Sequence, residues 1–301
     1  MIVIDYNQTF ISNYMAETRG RPDVEMNIDL LRHMILNQIR KYRTQFTSEF
    51  GEVVIACDNR RYWRREVYPY YKASRKKSRE SSGHDWSSIF DALHQIRSEL
   101  DEYLPYPVID VDGAEADDVI GALVEYSQEN EMTDHPMFAE PMPFLIISGD
   151  HDFQQLQKYP NVKQWSPIKK RWVKITGSPQ EVLMEHIITG DKGDGVPNIL
   201  SDDNVFVEGF RQKPMSQKKV DEIIQDLEDG ELLYAASWYR NYCRNKKLID
   251  LSETPPELRR EIINNFMADK PDTRWMRRGK VYPYLVANRC NQLIESVQEF
   301  I

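Results

Sequence analysis

VVIAC, at residues 53–57, is a short apolar run rich in β-branched side chains, and IVI at 2–4 and FLII at 144–147 have the same character. Continuous apolar runs of this length are typical of parallel strands buried on both faces. Between the first two runs, Asn27 can cap a helix whose apolar residues recur at helical spacing. Those residues are Ile28, Leu31, Ile35, Ile39 and Tyr42. We therefore predict an α/β fold with a mostly parallel central sheet and helices on both faces.

The middle of the chain alternates between helical and strand patterns. Residues 86–104 predict an amphipathic helix, residues 105–111 (PYPVIDV) a short strand, and residues 114–126 a helix that begins in an acidic turn. Prolines among polar residues predict a surface loop over residues 127–143. Residues 162–175, VKQWSPIKKRWVKI, are typical of a hairpin.

Helical patterns dominate the last third of the chain. Ser178 and Glu181 make a capping box, and Pro179 stands at the first helical position, which together are a specific helix start signal. Residues 216–247 and 255–300 are rich in helical spacing. This change of pattern indicates a second structural unit.

The length of 301 residues suits one large domain or two of ordinary size. We place an α/β domain at residues 1–180, which includes a basic segment at residues 60–85 that we call the basic arch, and a smaller helical C-terminal domain at residues 181–301. Hydrophobic residues make up 41% and charged residues 29%, and this balance excludes a wholly disordered chain.

The sequence also indicates the compartment. No apolar run approaches the roughly 18 to 20 residues that a membrane-spanning helix needs, and the first ten residues lack a basic leader. Cys57, Cys243 and Cys290 are far apart and form no CxxC pair, which argues against a disulfide framework or a thiolate zinc site. We expect a cytoplasmic protein with reduced cysteines and no membrane partner.

Charge is distributed unevenly along the chain. The formal net charge of −9 taken alone discourages a nucleic-acid partner. Residues 60–79, however, carry nine basic side chains and one acidic one, a local charge of +8. The nine are Arg60, Arg61, Arg64, Arg65, Lys72, Arg75, Lys76, Lys77 and Arg79. Five aromatic side chains are interleaved with them, and this combination suits contacts to a phosphate backbone and stacking on bases better than an ordinary solvated face does.

Acidic residues cluster where the chain leaves a buried run or enters a helix, and five such clusters occur. The carboxyl ends of neighbouring strands meet at one crevice in an open α/β sheet, so we expect the first four clusters to meet in space. The acids of the five clusters are Asp5, Asp58, Glu115, Asp117, Asp118, Asp150, Asp152, Asp191 and Asp194.

Such a crevice favours a metal site. Crowded carboxylates repel one another and take up protons unless cations neutralise them. A set of unrelated helix caps and exposed turn acids is the alternative, and the shared strand-end placement argues against it. All-oxygen donors suit hard ions, so we predict two Mg²⁺, with Mn²⁺ as a substitute. Two such ions stabilise the attacking and leaving oxygens of a phosphoryl displacement.

Several longer motifs carry a family resemblance. They are IVIDYNQ (2–8), ACDN (56–59), YWRR (62–65), YYK (70–72), EADD (115–118), SGDHDFQQL (148–156), KYPNVKQWSP (158–167) and GDKGDGVP (190–197). In this order they resemble the flap endonuclease or 5′ nuclease family, and within it the ribonucleases H of T-even bacteriophages. That group is unrelated to the fold that is also called ribonuclease H.

The resemblance implies a PIN-like fold and a 5′ to 3′ exonuclease and flap endonuclease. Its substrates would be RNA/DNA and DNA/DNA duplexes with 5′ ends or flaps, and its task the removal of lagging-strand primers during replication. The nine acids match the family's metal-site positions, some of which act through water, with Asp117 and Asp150 as catalytic carboxylates. Lys72 and Arg64 match the basic pair of the arch that contacts the scissile phosphate. A replication single-strand-binding protein is an implied partner, a monomer the implied state, and the host cytoplasm the implied location.

The sequence departs from the family's pattern at a few places. The family's helix-hairpin-helix would begin at Asp191, and here its glycine-rich hairpin is replaced by NILSDDNVFVEGF at residues 198–210. The chain starts directly at the first strand, so we expect no sliding-clamp contact through an N-terminal extension. His151 stands between two motif acids where a small residue is expected, and we expect it to point outward.

Two other functions remain open from sequence. Asp5, Asn7 and Thr9 approximate the DxDxT loop of haloacid-dehalogenase-type phosphatases, although the second position, a general acid in that class, is Asn here. That interpretation leaves EADD and the basic stretch unexplained. The second alternative is a protein that binds flaps or junctions without catalysis. The sequence disfavours it, because no acidic motif is visibly broken.

Overall fold

A computed structural model describes residues 1–129, 141–230 and 236–301. Its centre is a six-stranded sheet with the order β3-β2-β1-β4-β5-β6. The strands are β1 (Ile2–Asp5), β2 (Val53–Ala56), β3 (Val108–Ile109), β4 (Phe144–Ile147), β5 (Val162–Ser166) and β6 (Arg171–Trp172). All neighbours pair in parallel except β5 and β6, which form the predicted hairpin at one edge.

Alternating side chains of the inner strands enter two separate cores. Ile2 and Ile4 of β1 join one apolar cluster, while Val3 joins the cluster on the opposite face. β1 pairs residue by residue with β2 and β4, so Val53 and Leu145 face the same side as Ile2. Burial on both faces is the reason these strands are continuously apolar. The predicted fold class is confirmed.

Helices cover both faces of the sheet. Those up to residue 129 are α1 (Tyr6–Glu17), α2 (Ile28–Phe50), α3 (Arg64–Val67), α4 (Ser74–Ser81), α5 (Trp86–Tyr103) and α6 (Ala116–Glu129). Those after it are α7 (Pro179–Thr189), α8 (Val205–Glu208), α9 (Gln217–Asp229), α10 (Tyr239–Ile249), α11 (Pro256–Ala268), α12 (Pro271–Ala287) and α13 (Asn291–Ile294). Short 3₁₀ helices occur at Asp152–Lys158, Leu251–Glu253 and Val297–Phe300. Within the described ranges, no helix is long and apolar enough to cross a bilayer.

Local signals placed several helix ends correctly. The Asn27 side chain accepts hydrogen bonds from the backbone N–H groups of Asp29 and Leu30 at the start of α2. Ser178 and Glu181 form the reciprocal capping box of α7. The helix α1 was not predicted, although Asp5 followed by Gln8 is a capping sequence, and the Asp5 carboxylate caps it in the structure.

The loop expected over residues 127–143 starts later than predicted, because α6 continues through Glu129. Its central part, residues 130–140, lies outside the described residues.

The last helices pack against the sheet. Val281 and Leu285 of α12 and Phe300 belong to the apolar cluster on one face, and Leu258 and Ile262 of α11 to the cluster on the other. A separate small cluster, formed by Ile188, Ile199, Val220, Ile223 and Trp238, joins α7, α9 and α10. The boundary at residues 180 and 181 stays a prediction, and one apolar face of α11 and one of α12 pack against the α/β core.

Candidate metal centre

Seven aspartates from five chain segments line a single cavity of about 450 Å³ at the carboxyl edge of the sheet. We call it the acidic cavity. β1 ends at Asp5, Asp58 follows β2, Asp117 lies in the first turn of α6, and Asp150 and Asp152 follow β4. The loop after α7 adds the last two. The seven are Asp5, Asp58, Asp117, Asp150, Asp152, Asp191 and Asp194.

Neutral donors hold the carboxylates nearest the sheet. The Asn7 side-chain amide donates to Asp58 Oδ2 at 2.8 Å, and the Ala116 N–H donates to Asp58 Oδ1 at 2.8 Å. Asp5 accepts from the Gln8 N–H at 3.0 Å and from Ser148 Oγ at 3.1 Å. Asn7 therefore orients Asp58. A phosphatase of the haloacid-dehalogenase type would need an acid at the position of Asn7. Sequence reasoning assigned no role to Gln8 or Ser148.

Crowding and burial perturb the acids of this cavity. Burial, with the neighbouring charge of Asp58, raises the pKa of Asp5 to about 7. Burial also raises the pKa of Asp152 to about 8. The pKa of Asp117 is well above its ordinary value because of burial and the charge of Asp150. These carboxylates favour their charged forms only where positive charge lies between them.

The donor set fits divalent cations. Asp152 Oδ1 is buried and accepts no hydrogen bond from any described residue. The seven aspartates supply oxygen donors alone, as Mg²⁺ and Mn²⁺ prefer. The aspartates of the acidic cavity are thus the residues that would hold such ions.

Lys72 provides a positive charge at the wall of the acidic cavity. Its Nζ lies 2.5 Å from Glu115 Oε1 and 3.3 Å from Asp194 Oδ2. Although burial opposes its charge, Asp194 and Glu115 together raise the Lys72 pKa above the ordinary lysine value. Lys72 also has a φ of 56°, a left-handed conformation that is rare for a lysine. Glu115, the partner of this lysine, lines a second cavity next to the acidic cavity.

Besides Glu115, two further predicted site residues, Arg64 and Asp118, lie outside the acidic cavity. Arg64 is 2% exposed, and its guanidinium donates to Glu115 Oε2 at 3.0 Å, to Asp118 Oδ2 at 2.8 Å and to the Leu248 carbonyl at 2.8 Å. Asp118 is 0% exposed and also accepts from Trp63 Nε1 and Thr254 Oγ1. The expected contact of Arg64 with a phosphate, and of Asp118 with a metal ion, does not fit this buried ion pair. Arg64 and Asp118 neutralise each other's charge. Through its bonds to Asp118 and to the Leu248 carbonyl, Arg64 joins α3 to α6 and α10.

Arg75 occupies the position that the sequence assigned to Arg64. It lines the acidic cavity, and its guanidinium pairs with Asp194 and donates to the Gly193 carbonyl. Arg75 was predicted only as a nucleic-acid contact. Its place in the first turn of α4 brings it to the cavity.

The loop at residues 190–196, which follows α7, forms hydrogen bonds with the basic arch. The Lys72 N–H donates to the Asp194 carbonyl at 2.7 Å, and the Tyr71 hydroxyl donates to Asp194 Oδ2 at 2.7 Å. Gly190 begins the loop with a φ of 72°, and a Cβ there would lie 2.4 Å from the Val196 carbonyl. A residue with a side chain would therefore displace the loop that carries Asp191 and Asp194. The replaced hairpin that follows holds the single-turn helix α8.

The remaining basic residues of the arch form an open surface. Five of them are exposed, namely Arg60, Arg61, Arg65, Lys76 and Lys77. Arg79 lines the acidic cavity with its guanidinium 5.5 Å from the Trp86 ring and 5.0 Å from the Phe90 ring. Trp86 and Phe90 form an aromatic wall of the same cavity, which sequence reasoning did not single out.

His151 is exposed, as expected, but it also has a ring partner. Its imidazole packs edge-to-face on His186 of α7, with centroids 5.0 Å apart. Sequence reasoning missed His186, because nothing in its local pattern relates it to SGDHD.

A parallel sheet with aspartates along its carboxyl edge, facing a basic arch, defines a hydrolase of the 5′ nuclease class. Residues 1–192 match the family model described as 5′-3′ exonuclease, N-terminal resolvase-like domain, and residues 177–300 match that described as T4 RNase H, C terminal. The chain belongs to this 5′-3′ exonuclease family.

The relatives agree with this assignment. Ribonuclease H of Enterobacteria phage T4 is 38% identical over 99% of this chain and 95% of its own length. Flap endonuclease Xni of Shewanella piezotolerans is 28% identical over 46% of this chain and 49% of its own. The zinc-bound T5 5′-exonuclease superposes with a TM-score of 0.58 at 14% identity, covering 90% of this chain and 99% of that chain. A T5 flap endonuclease complex with DNA and metal ions has a TM-score of 0.57 at 14% identity, covering 96% and 98%.

Proposed function

We propose that this protein is a divalent-metal-dependent 5′ to 3′ exonuclease and flap endonuclease that removes RNA primers from lagging-strand fragments during DNA replication. The observation that carries the proposal is the convergence of seven aspartates beneath Lys72, Arg75 and Arg79 in the acidic cavity. The relatives named ribonuclease H and flap endonuclease support the substrate class of RNA/DNA and DNA/DNA duplexes with 5′ ends.

The acidic cavity would hold two Mg²⁺, with Mn²⁺ as a substitute. When bound, such ions stabilise charge on the phosphate oxygens and lower the pKa of water. The protein's own contribution is position: β1, β2 and β4 end at the same edge of the sheet, so their acids form one rigid set. Asp117 and Asp150 belong to this set, and the hydrogen bonds to Asp5 and Asp58 orient two further members.

Lys72 and Arg75 would hold the phosphate against that set. In the structure both pair with Asp194, so an incoming phosphate offers them another anionic partner. Charge-assisted hydrogen bonds from such groups are stronger than neutral ones. The two cations then orient the scissile phosphate and reduce its negative charge.

The aromatic wall would receive a base. Trp86 and Phe90 line the same acidic cavity as the aspartates, and Arg79 lies against both rings. Base stacking on aromatic rings tolerates any sequence, as an enzyme acting on arbitrary 5′ ends requires. The five exposed cations of the arch would contact the backbone of the same strand.

Membership of the family supports three further proposals, on the oligomeric state, the location and a protein partner. We infer a monomer that acts in the cytoplasm of a phage-infected host, with a replication single-strand-binding protein as partner. Of these proposed partners, the nucleic acid is the one for which the acidic cavity and the basic arch offer specific contacts.

A direct test is a 5′-labelled flap or nicked duplex incubated with Mg²⁺ or with EDTA. Short 5′ products should form only with Mg²⁺. Asp117→Asn and Asp150→Asn should each lower cleavage by about a hundredfold or more, because each variant loses a negative charge that binds a metal ion. DNA binding in a gel shift should be retained, because neither change removes a contact to the DNA backbone. Asp221→Asn, at an exposed position of α9, is the matched control and should cleave normally.

Two results would contradict the proposal. Undiminished Mg²⁺-dependent turnover in both variants would remove the acidic cavity from the reaction. A gel shift by the unaltered protein with no cleavage under any divalent ion would indicate a binding protein instead.

A further inference from the structure

Two histidines lie beside aspartates of the acidic cavity and add nitrogen donors to its oxygen donors. His151, Asp152 and His186 place three potential ligand atoms within 4.8 Å of one another. His186 comes from the last turn of α7, and its Nδ1 is 3.2 Å from Asp152 Oδ1. His151 is adjacent in sequence to Asp152, and its ring meets that of His186 at an interplanar angle of 84°. The three residues form what we call the His–Asp cluster.

The contacts of His186 are those of an oriented ligand. Its Nε2 lies 3.5 Å from Asp191 Oδ2, while Nδ1 points at Asp152. A histidine that binds a metal through one ring nitrogen usually donates its other N–H to a carboxylate, which fixes the tautomer and the ring. Asp191 can serve as that carboxylate, which leaves Nδ1 free to bind a cation beside Asp152.

The Asp152 carboxylate supplies a second observation that points to a cation ligand. Its Oδ1 is buried and, among the described residues, accepts no hydrogen bond, although it faces His186 Nδ1. A buried carboxylate oxygen without a donor is costly. A cation between Asp152 and the two imidazoles would compensate that cost.

The donor chemistry selects the ion. Mg²⁺ prefers oxygen ligands, whereas two imidazoles and one carboxylate suit Zn²⁺ and its neighbours in the first transition row. In a tetrahedral zinc site the ligand atoms lie about 3.3 Å apart, as follows from Zn–N distances near 2.0 Å. The Asp152 and His186 atoms already have that separation. The exposed His151 side chain has room to close the longer gaps.

We propose that His151, Asp152 and His186 bind a late first-row transition ion such as Zn²⁺, at a site that overlaps the acidic cavity only at Asp152. Because the two sites share Asp152, an ion in the His–Asp cluster withdraws that carboxylate from the Mg²⁺ set. Zinc is then an inhibitor that competes with Mg²⁺. This consequence for activity rests on the proposed function, whereas the binding site itself does not.

Binding is tested on the full chain with Co²⁺, whose visible absorption is intense when nitrogen ligands and low coordination number are present. The unaltered protein should develop these bands at one equivalent, and calorimetry should show Zn²⁺ binding that Mg²⁺ does not displace at equal concentration. His186→Gln and His151→Asn should each weaken Co²⁺ binding by at least about tenfold, because each removes a direct ligand and even the loss of a residue that orients a ligand costs about that much. His33→Gln on α2 and Asp117→Asn in the acidic cavity should keep the bands.

The outcomes separate the two proposals. Unchanged Co²⁺ bands in a folded His151→Asn, His186→Gln double variant would overturn the His–Asp cluster as a site, whatever the nuclease does. If binding is as expected, zinc should inhibit Mg²⁺-dependent cleavage by the unaltered protein and should do so at least tenfold less effectively in His151→Asn. Bands without any cleavage would leave the metal site established and contradict the nuclease assignment alone.

Discussion

The residues predicted to bind metal or the scissile phosphate divide into those that line the acidic cavity and those that do not line it and are buried together. Arg64, Glu115 and Asp118 belong to the second group, with exposures of 2%, 1% and 0%. Arg64 is the cation that both acids share. Breaking a buried pair by removing one partner leaves uncompensated charge, which is far more costly than losing a surface pair. Their role in this structure is therefore to stabilise the fold beneath the site.

Replacing Arg64 tests this role. Arg64→Met keeps much of the aliphatic volume but leaves Asp118 and Glu115 without their shared guanidinium. We expect a loss of about 3–5 kcal/mol in the free energy of unfolding, measured by urea denaturation. Arg65→Met, at an exposed neighbouring position, should change stability by less than about 0.5 kcal/mol. Equal stability of the two variants would contradict the buried-pair interpretation.

At the scale of elements, the basic arch is attached at its base and open along α4. Tyr71 and Lys72 bind the 190–196 loop, whereas Lys76 and Lys77 of α4 are exposed. A helix with no buried residue gains little from packing, and none of the side chains of α4 is buried. Its sequence therefore suits contact with a polyanion.

The salt dependence of DNA binding measures those contacts. Lys76→Ala with Lys77→Ala should weaken binding to any sequence and reduce the slope of log K against log salt by up to about 1.4–1.8 for two phosphate contacts. Lys41→Ala, an exposed lysine of α2, should leave the slope unchanged. Fluorescence anisotropy with a labelled flap over a range of KCl concentrations gives both values. An unaltered slope in the double variant would remove α4 from the binding surface.

At the scale of the whole molecule, the last helices are joined to the α/β core by polar as well as apolar contacts. Glu99 of α5 accepts from Arg32 Nε of α2 at 2.6 Å and from the Tyr284 hydroxyl of α12 at 2.7 Å. Burial opposes the charge of Glu99, but the hydrogen bonds from Arg32, Tyr284 and Gln95 prevail and lower its pKa. This carboxylate links three helices that are distant in sequence.

Glu99 should make stability depend on pH at the acid side. Its folded pKa lies below the unfolded value of about 4.3, so its contribution is complete above that pH and is lost as the pH falls through the folded pKa. Glu99→Gln should lower the free energy of unfolding at neutral pH, and the difference from the unaltered protein should shrink at about pH 3. Glu261→Gln, on the exposed side of α11, is the control. Urea denaturation at both pH values checks this, and a difference independent of pH would contradict it.

Much of the fold and part of the site could be predicted from sequence. The apolar runs, the caps of α2 and α7 and the acids at the strand ends are local features, and the parallel arrangement follows from them. Their convergence was predicted because strand ends of a parallel sheet have only one edge at which to meet. Glu115 and Asp118 show the limit of this reasoning, since they share a motif with Asp117 but both pair with the buried Arg64 and do not line the acidic cavity.

The sequence by itself determined most of the segments that become strands and helices and which edge of the sheet carries the acids, because backbone hydrogen bonding and apolar periodicity act over a few residues. Only the tertiary structure decided that Arg75 lines the cavity while Arg64 is buried, that α12 packs on the sheet, and that His186 lies beside Asp152. Each of these depends on desolvation and packing between residues far apart in the chain. A local sequence pattern therefore cannot predict which of these distant residues come into contact.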